Sequence, residues 1–194
     1  MTPERTSVGS ARLSARSVRL KPIERSDYEM LYRAELSEAL ISRWRHRGAT
    51  PSPEAWSQNL WLGVLSQFLI VSTRQQEEAV LGMVACIQAD AANGHAQLAA
   101  ASFTGEPGIE VVEGAALFIS YVFHNWNFVK LYMDVPGYNL SQIESGLKHV
   151  FHEEGRLKGH VFKYGQAWDL HILAVYRDHW KAFGEARGLE SIVY

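Results

Sequence analysis

Several groups of residues in this chain have the types and spacing that chemistry needs. Trp44 stands among Arg43, Arg45, His46 and Arg47. Forked guanidiniums beside an aromatic face can grip a phosphate or a carboxylate. Asp134, His95 and His160 lie in or beside strand-like runs. A carboxylate or an imidazole there can take a proton from a reacting group, although polar residues in strands more often only satisfy hydrogen bonds. His149, His152 and Glu153 would share one face if that segment were helical. They lack the His-Glu-x-x-His arrangement and need a ligand from elsewhere, so no metal site is expected. Cys86 is the single cysteine, which excludes an intrachain disulfide. Its apolar neighbours make it a buried small side chain rather than a nucleophile.

A further group is the segment from Gly105 to Val112, which reads Gly105, Glu106, Pro107, Gly108, Ile109, Glu110, Val111, Val112 and opens a helical run. Backbone amides converging at a helix N-terminus bind phosphate, and glycine allows the close approach. Pro107 removes one of those amides. Glu106 and Glu110 add negative charge, and a carboxylate about 5 Å from a phosphate at an effective dielectric of about 20 opposes binding by roughly 3 kcal/mol. Alternatively, one of these carboxylates satisfies the helix N-terminus itself.

The elements that must position these groups follow from pattern. Val18 to Ile23 alternates and meets proline, as an edge strand does. Ser26 and Glu29 have capping-box spacing, predicting a helix to about Ser42. Ser52 and Pro53 open a second helix. Strands are expected over 68–72, 80–89 and 95–103, the last two joined by the Asn93-Gly94 turn. Ala99, Ala100 and Ala101 leave room for something large to pack. A helix over 111–125, a strand over 130–135, a helix over 141–153, a hairpin of 159–164 with 168–176 and a final helix complete the order. Asp169 and Arg177 are placed to pair near that hairpin. Periodicity alone supports a mixed α/β or α+β domain.

The order of Glu113-Gly114-Ala115, Lys130 to Val135, Asn139, Phe151 to Leu157 and Tyr176 to Trp180 resembles the GCN5-related N-acetyltransferases, in particular the branch that acetylates ribosomal-protein N-termini and small amines. The resemblance covers about 170 residues and rests on short motifs. It implies an α+β fold whose central, mostly antiparallel sheet of about seven strands is flanked by helices. That sheet splays between its fourth and fifth strands, 95–103 and 130–135. It implies acetyl-CoA or another acyl-CoA as cofactor, with the pyrophosphate at Gly105, Gly108, Ile109, Val111 and Val112 and the pantetheine arm at Asn139. This sequence departs from the family there, with Glu106 where a basic or amide residue is usual and bulky residues at Ile109 and Val111. Tyr138, Tyr176 and Ser141 become candidate proton donors and Asp134 a candidate base. Trp44, Arg43, Arg45 and Gln97 fall where the family shapes its acceptor site. The function implied is acyl transfer to a primary amine of a small molecule, amino acid or peptide. The alternative is the same fold with a lost acyl-CoA site, binding another ligand or partner or catalysing another biosynthetic step.

A formal net charge of −2 offers no electrostatic case for nucleic acid or an anionic membrane. No apolar run approaches the roughly 20 residues of a membrane helix. Residues 1–15 are polar and read as a mobile lead-in to a single domain over 16–194, in a cytoplasmic protein. Exposed aromatics and the apolar end Ile192-Val193-Tyr194 are compatible with a monomer or a homodimer.

Overall fold

A computed structural model describes residues 13–74, 77–105, 107–144 and 149–187. Seven strands form one sheet: β1 (Val18–Pro22), β2 (Val64–Ser72), β3 (Ala79–Asp90), β4 (His95–Ser102), β5 (Lys130–Pro136), β6 (His152–Lys163) and β7 (Gln166–Tyr176). Their order across the sheet is β1-β2-β3-β4-β5-β7-β6. Every neighbouring pair is antiparallel except β4 with β5. Pro22 sits on the edge strand, where its missing N–H costs no ladder bond. Five helices flank the sheet: α1 (Tyr28–Glu35), α2 (Pro53–Asn59), α3 (Ile109–Asn125), α4 (Leu140–Glu144) and α5 (Arg177–Arg187). Among the described residues no helix is long and apolar enough to cross a membrane.

The sheet is covered on both faces, so two apolar clusters form. On one face Ala96, Leu98, Leu131 and Val175 pack with Leu117, Phe118 and Val122 of α3 and with Trp180 of α5. Gly114 lets α3 lie this close to β2, because a Cβ there would meet Ile70 Cγ2 at 2.6 Å. On the other face Leu69, Val71, Met83 and Ala101 pack with Leu31, Trp56 and Leu60. Trp56 is held edge-on by Tyr28 and Tyr32 at 5.6 and 5.7 Å.

Four expectations are corrected. The capping box forms two residues earlier, between Glu24 and Asp27, because Asp27 accepts from Glu24 N at 2.9 Å and from Lys21 Nζ at 2.8 Å. α1 stops at Glu35 instead of running to Ser42, since the chain turns repeatedly over 37–48 to bring Trp44, Arg45 and His46 onto the Glu35 carboxylate. The helix expected over 141–153 is helical over Leu140–Glu144, residues 145–148 lie outside the described residues, and His149 and Val150 form a turn. His152 and Glu153 belong to β6 instead, where pairing with β7 outweighs local propensity. Asp169 pairs with Arg156 at 2.6 Å, while Arg177 donates to the carbonyl of Phe128 at 2.7 Å. Ser52 caps α2 as expected, accepting from Ala55 N at 3.3 Å.

Of the expected lead-in, residues 1–12 lie outside the described residues. Leu13 and Ala15 pack against the core and are tied by backbone hydrogen bonds to Leu20 and Val18.

Candidate functional site

The parallel ladder between β4 and β5 lasts only three residue pairs, His95 with Lys130, Ala96 with Leu131 and Gln97 with Tyr132. Beyond it β4 continues on β3 and β5 continues on β7, so the sheet opens. A cavity of about 840 Å³ occupies the opening. That is the size of a small-ligand or cofactor site. The small profile of Ala99, Ala100 and Ala101 lines it, as the sequence suggested.

One wall comes from α3 and the segments around it. Gly105, at φ +90°, and Pro107 line the cavity. Gly108 is the N-cap residue of α3, and among the described residues no side chain caps that helix end. Glu110 turns away and accepts from Ser72 Oγ at 2.7 Å, with Arg74 Nε at 3.9 Å. Glu113 is held by Ser17 through both its backbone amide and its hydroxyl. Glu106 lies outside the described residues. Val111, Val112 and Asn139 line the cavity, whereas Gly108 and Ile109 do not, and Ile109 is 77% exposed. Asn139 Oδ1 is buried without a hydrogen-bond partner among the described residues. Gln142, also lining, reaches Gly105 O at 3.5 Å.

The opposite wall is built by the turns between α1 and α2 together with the β6–β7 hairpin. Trp44, Arg43, Arg45 and Gln97 all line the cavity. Trp44 and Arg45 are also structural. Glu35, 0% exposed, accepts from Trp44 Nε1 at 3.1 Å and Trp56 Nε1 at 2.8 Å, and meets His46 Nε2 at 2.9 Å. Arg45 Nε lies 3.1 Å from Glu35 Oε1, and burial pulls its pKa down while Glu35 opposes that shift. Gln97 Nε2 donates to Asp134 Oδ2 at 2.7 Å, and Asp134 is the lone lining carboxylate among the described residues. Tyr138 lines the cavity between Trp168 and Tyr164, at ring distances of 5.6 and 6.3 Å. Burial pushes its phenol pKa up, against the opposing pull of Arg47 and Arg43, so the hydroxyl keeps its proton at neutral pH.

Two expected donors lie elsewhere. Ser141 is exposed and does not line the cavity. Tyr176 sits opposite Lys130 at the far end of β5 and donates to Glu154, a hydrogen bond that raises its pKa. No group of three His, Cys, Asp or Glu side chains that could hold a metal occurs among the described residues. Burial raises the Cys86 thiol pKa to about 12.

Sequence reasoning missed Glu35 and Lys163. Glu35 looks like any polar residue of an amphipathic helix. Lys163 had a faint signal, a lone lysine between Phe162 and Tyr164 just before the Gly165 turn.

No family model and no curated protein matches this chain. Solved structures do. A spermidine N-acetyltransferase from Vibrio cholerae in complex with CoA and spermine superposes with a TM-score of 0.68 at 15% identity, over 84% of this chain and 98% of that one. A chimera of the Vibrio cholerae spermidine N-acetyltransferase with hSSAT gives 0.69 at 16% identity, over 84% and 98%. A probable acetyltransferase gives 0.66 at 15% identity, over 86% and 96%. The sheet that parts between β4 and β5, with α3 entering at the gap, is therefore the fold of the GCN5-related N-acetyltransferases.

Proposed function

We propose that this protein is an acyl-CoA-dependent N-acyltransferase acting on a primary amine. The observation that carries the reading is the cavity at the β4–β5 parting, which Val111 and Val112 of the first turn of α3 line together with Asn139, whose Oδ1 has no hydrogen-bond partner among the described residues. Both features fit the cofactor. The start of a 17-residue helix favours an anion, and no first-turn carboxylate among the described residues fills it, since Glu110 is bound to Ser72. A buried acceptor without a donor suits an amide N–H such as those of a pantetheine arm.

In this reading Gly105, Val111, Val112 and the start of α3 hold the pyrophosphate, and Asn139 orients the pantetheine. A bound acyl-CoA supplies a thioester open to direct attack by the amine. The chain's own residues position the amine and handle protons. Asp134, fixed by Gln97, accepts a proton from the amine at its free carboxylate oxygen. Tyr138 Oη, kept protonated by burial, is the proton donor inside the cleft.

A second reading is favoured by Pro107, which takes a backbone amide out of the cofactor loop at a lining position. There the fold holds another ligand or partner, or serves another biosynthetic step. Calorimetric titration with CoA and acetyl-CoA separates the two. Dissociation constants of micromolar order, weakened about tenfold by Asn139→Ala, are expected from the loss of one hydrogen bond. No binding at millimolar concentration sinks the acyltransferase reading and leaves the second.

A further inference from the structure

We infer that the acceptor side of the cleft recognises an anionic group, so that the amine it takes carries a carboxylate or a phosphate and is not a polycation. The inference rests on the acyltransferase reading for the amine, but its anion site stands on separate residues. Lys163 is 7% exposed and lines the cavity, and apart from the neighbouring Tyr164 phenol its Nζ has no hydrogen-bond partner among the described residues. No carboxylate pairs with it among the described residues, and lysine is almost never buried unpaired. The faces of Tyr138 and Tyr164, 4.4 and 4.6 Å away, hold the ammonium by cation–π attraction. They neutralise none of its charge.

Two more cations face the same space. Arg43 and Arg47 line the cavity, and neither has a carboxylate partner among the described residues. Arg43 and then Lys163 hold the Tyr164 phenol below its ordinary range, so the 37–48 turns and the β6–β7 hairpin meet at this point. Arg47 is held at φ +48°, in the left-handed region that side chains seldom adopt. Against these stands, among the described residues, one lining carboxylate, Asp134, since Glu35 is buried and matched by Arg45. A cationic wall repels a polyamine and pairs with carboxylate or phosphate. The solved relative described above is bound to spermine. Fold likeness therefore does not carry that substrate over to a wall of this charge.

The test is calorimetry on the full chain, with and without saturating CoA, using O-phosphoethanolamine, γ-aminobutyrate and spermidine as probes. At least one anionic amine is expected to bind at least about tenfold more tightly than spermidine, and the R43Q/R47Q variant to lose that preference. Lys163→Met is expected to weaken the same probe about tenfold or more. Both Arg43 and Arg47 are exposed, so their variant tests the site even if the buried Lys163→Met fails to fold. Spermidine binding as tightly as the anionic probes, or an R43Q/R47Q variant with unchanged preference, overturns the inference. Which anionic probe binds identifies phosphate or carboxylate. Anionic binding without CoA binding refutes acyl transfer alone, while CoA binding without anionic binding refutes the anion site alone.

Discussion

Replacing Glu35 by alanine would strip the hydrogen-bond partner from three side chains and the counter-charge from a fourth, Arg45. Its carboxylate holds two indole N–H groups at 3.1 and 2.8 Å, one imidazole nitrogen at 2.9 Å and the Arg45 guanidinium at 3.1 Å. The carboxylate is wholly buried, and burial already depresses the Arg45 pKa, so the orphaned guanidinium would face a desolvated pocket without its counter-charge. Removing one partner of a buried ion pair costs about 3–5 kcal/mol. For a chain of this length that is a fall of about 6–20 °C in melting temperature, at about 2–4 °C per kcal/mol. Thermal and urea unfolding followed by tryptophan fluorescence would report it directly, because Trp44 and Trp56 are the indoles involved. The indoles donate to different carboxylate oxygens, so Glu35→Gln keeps an acceptor for only one of them and none of the charge, and its loss should be intermediate. The double variant Glu35→Leu with Arg45→Met removes both charges and should recover much of the loss. A Glu35→Ala protein melting within about 2 °C of wild type would refute the reasoning, since four contacts would then contribute almost no net stability.

Three further outcomes are expected. Gly82→Ala should destabilise by about 1–3 kcal/mol in urea unfolding, because its Cβ would lie 2.2 Å from Ala101 O and must push β3 from β4; an unchanged midpoint would mean these strands have slack. Cys86 should resist a thiol reagent such as dithionitrobenzoate at pH 8 in the native protein and react fully in guanidinium, since its thiol pKa is about 12; rapid native labelling would contradict its burial. Burial raises the Asp27 carboxyl, but Lys21 and the Glu24 amide together outweigh it and leave the pKa lowered. Its contribution is therefore complete above the unfolded carboxylate value and lost as pH falls through the lower folded value. Asp27→Asn should cost about 1 kcal/mol at pH 7 and less in strong acid; a gap that widens on acidification would reverse the assigned sign.

The strands and the α3 helix were legible because their signals are local. Val18 and Leu20 alternate, Asn93-Gly94 makes a hairpin turn at φ +72° for Gly94, and the apolar run after Ile109 repeats at helical spacing. The reading failed where a distant partner decided the local state. His152 and Glu153 follow a helical start, and their segment becomes an edge strand because β7 offers it a ladder. Tyr176 and Tyr138 are both tyrosines beside strands, yet one faces Glu154 and Lys130 at the far end of β5 and the other lines the cleft.

The sequence by itself determined the order of elements, the small alanine wall of the fourth strand, the aromatic and arginine patch after the first helix and the asparagine after the fifth strand. These depend on residue type and near neighbours, which the chain carries in one dimension. Only the tertiary structure decided that Glu110 turns from the α3 N-terminus to Ser72, that Glu35 gathers Trp44, Arg45, His46 and Trp56, and that Lys163 joins Arg43 and Arg47 around one cavity. Lys163 is 120 positions from Arg43 in the chain. Their charges act on one another only because the sheet parts between β4 and β5 and the hairpin folds back over the gap, and Coulomb energy depends on separation in space.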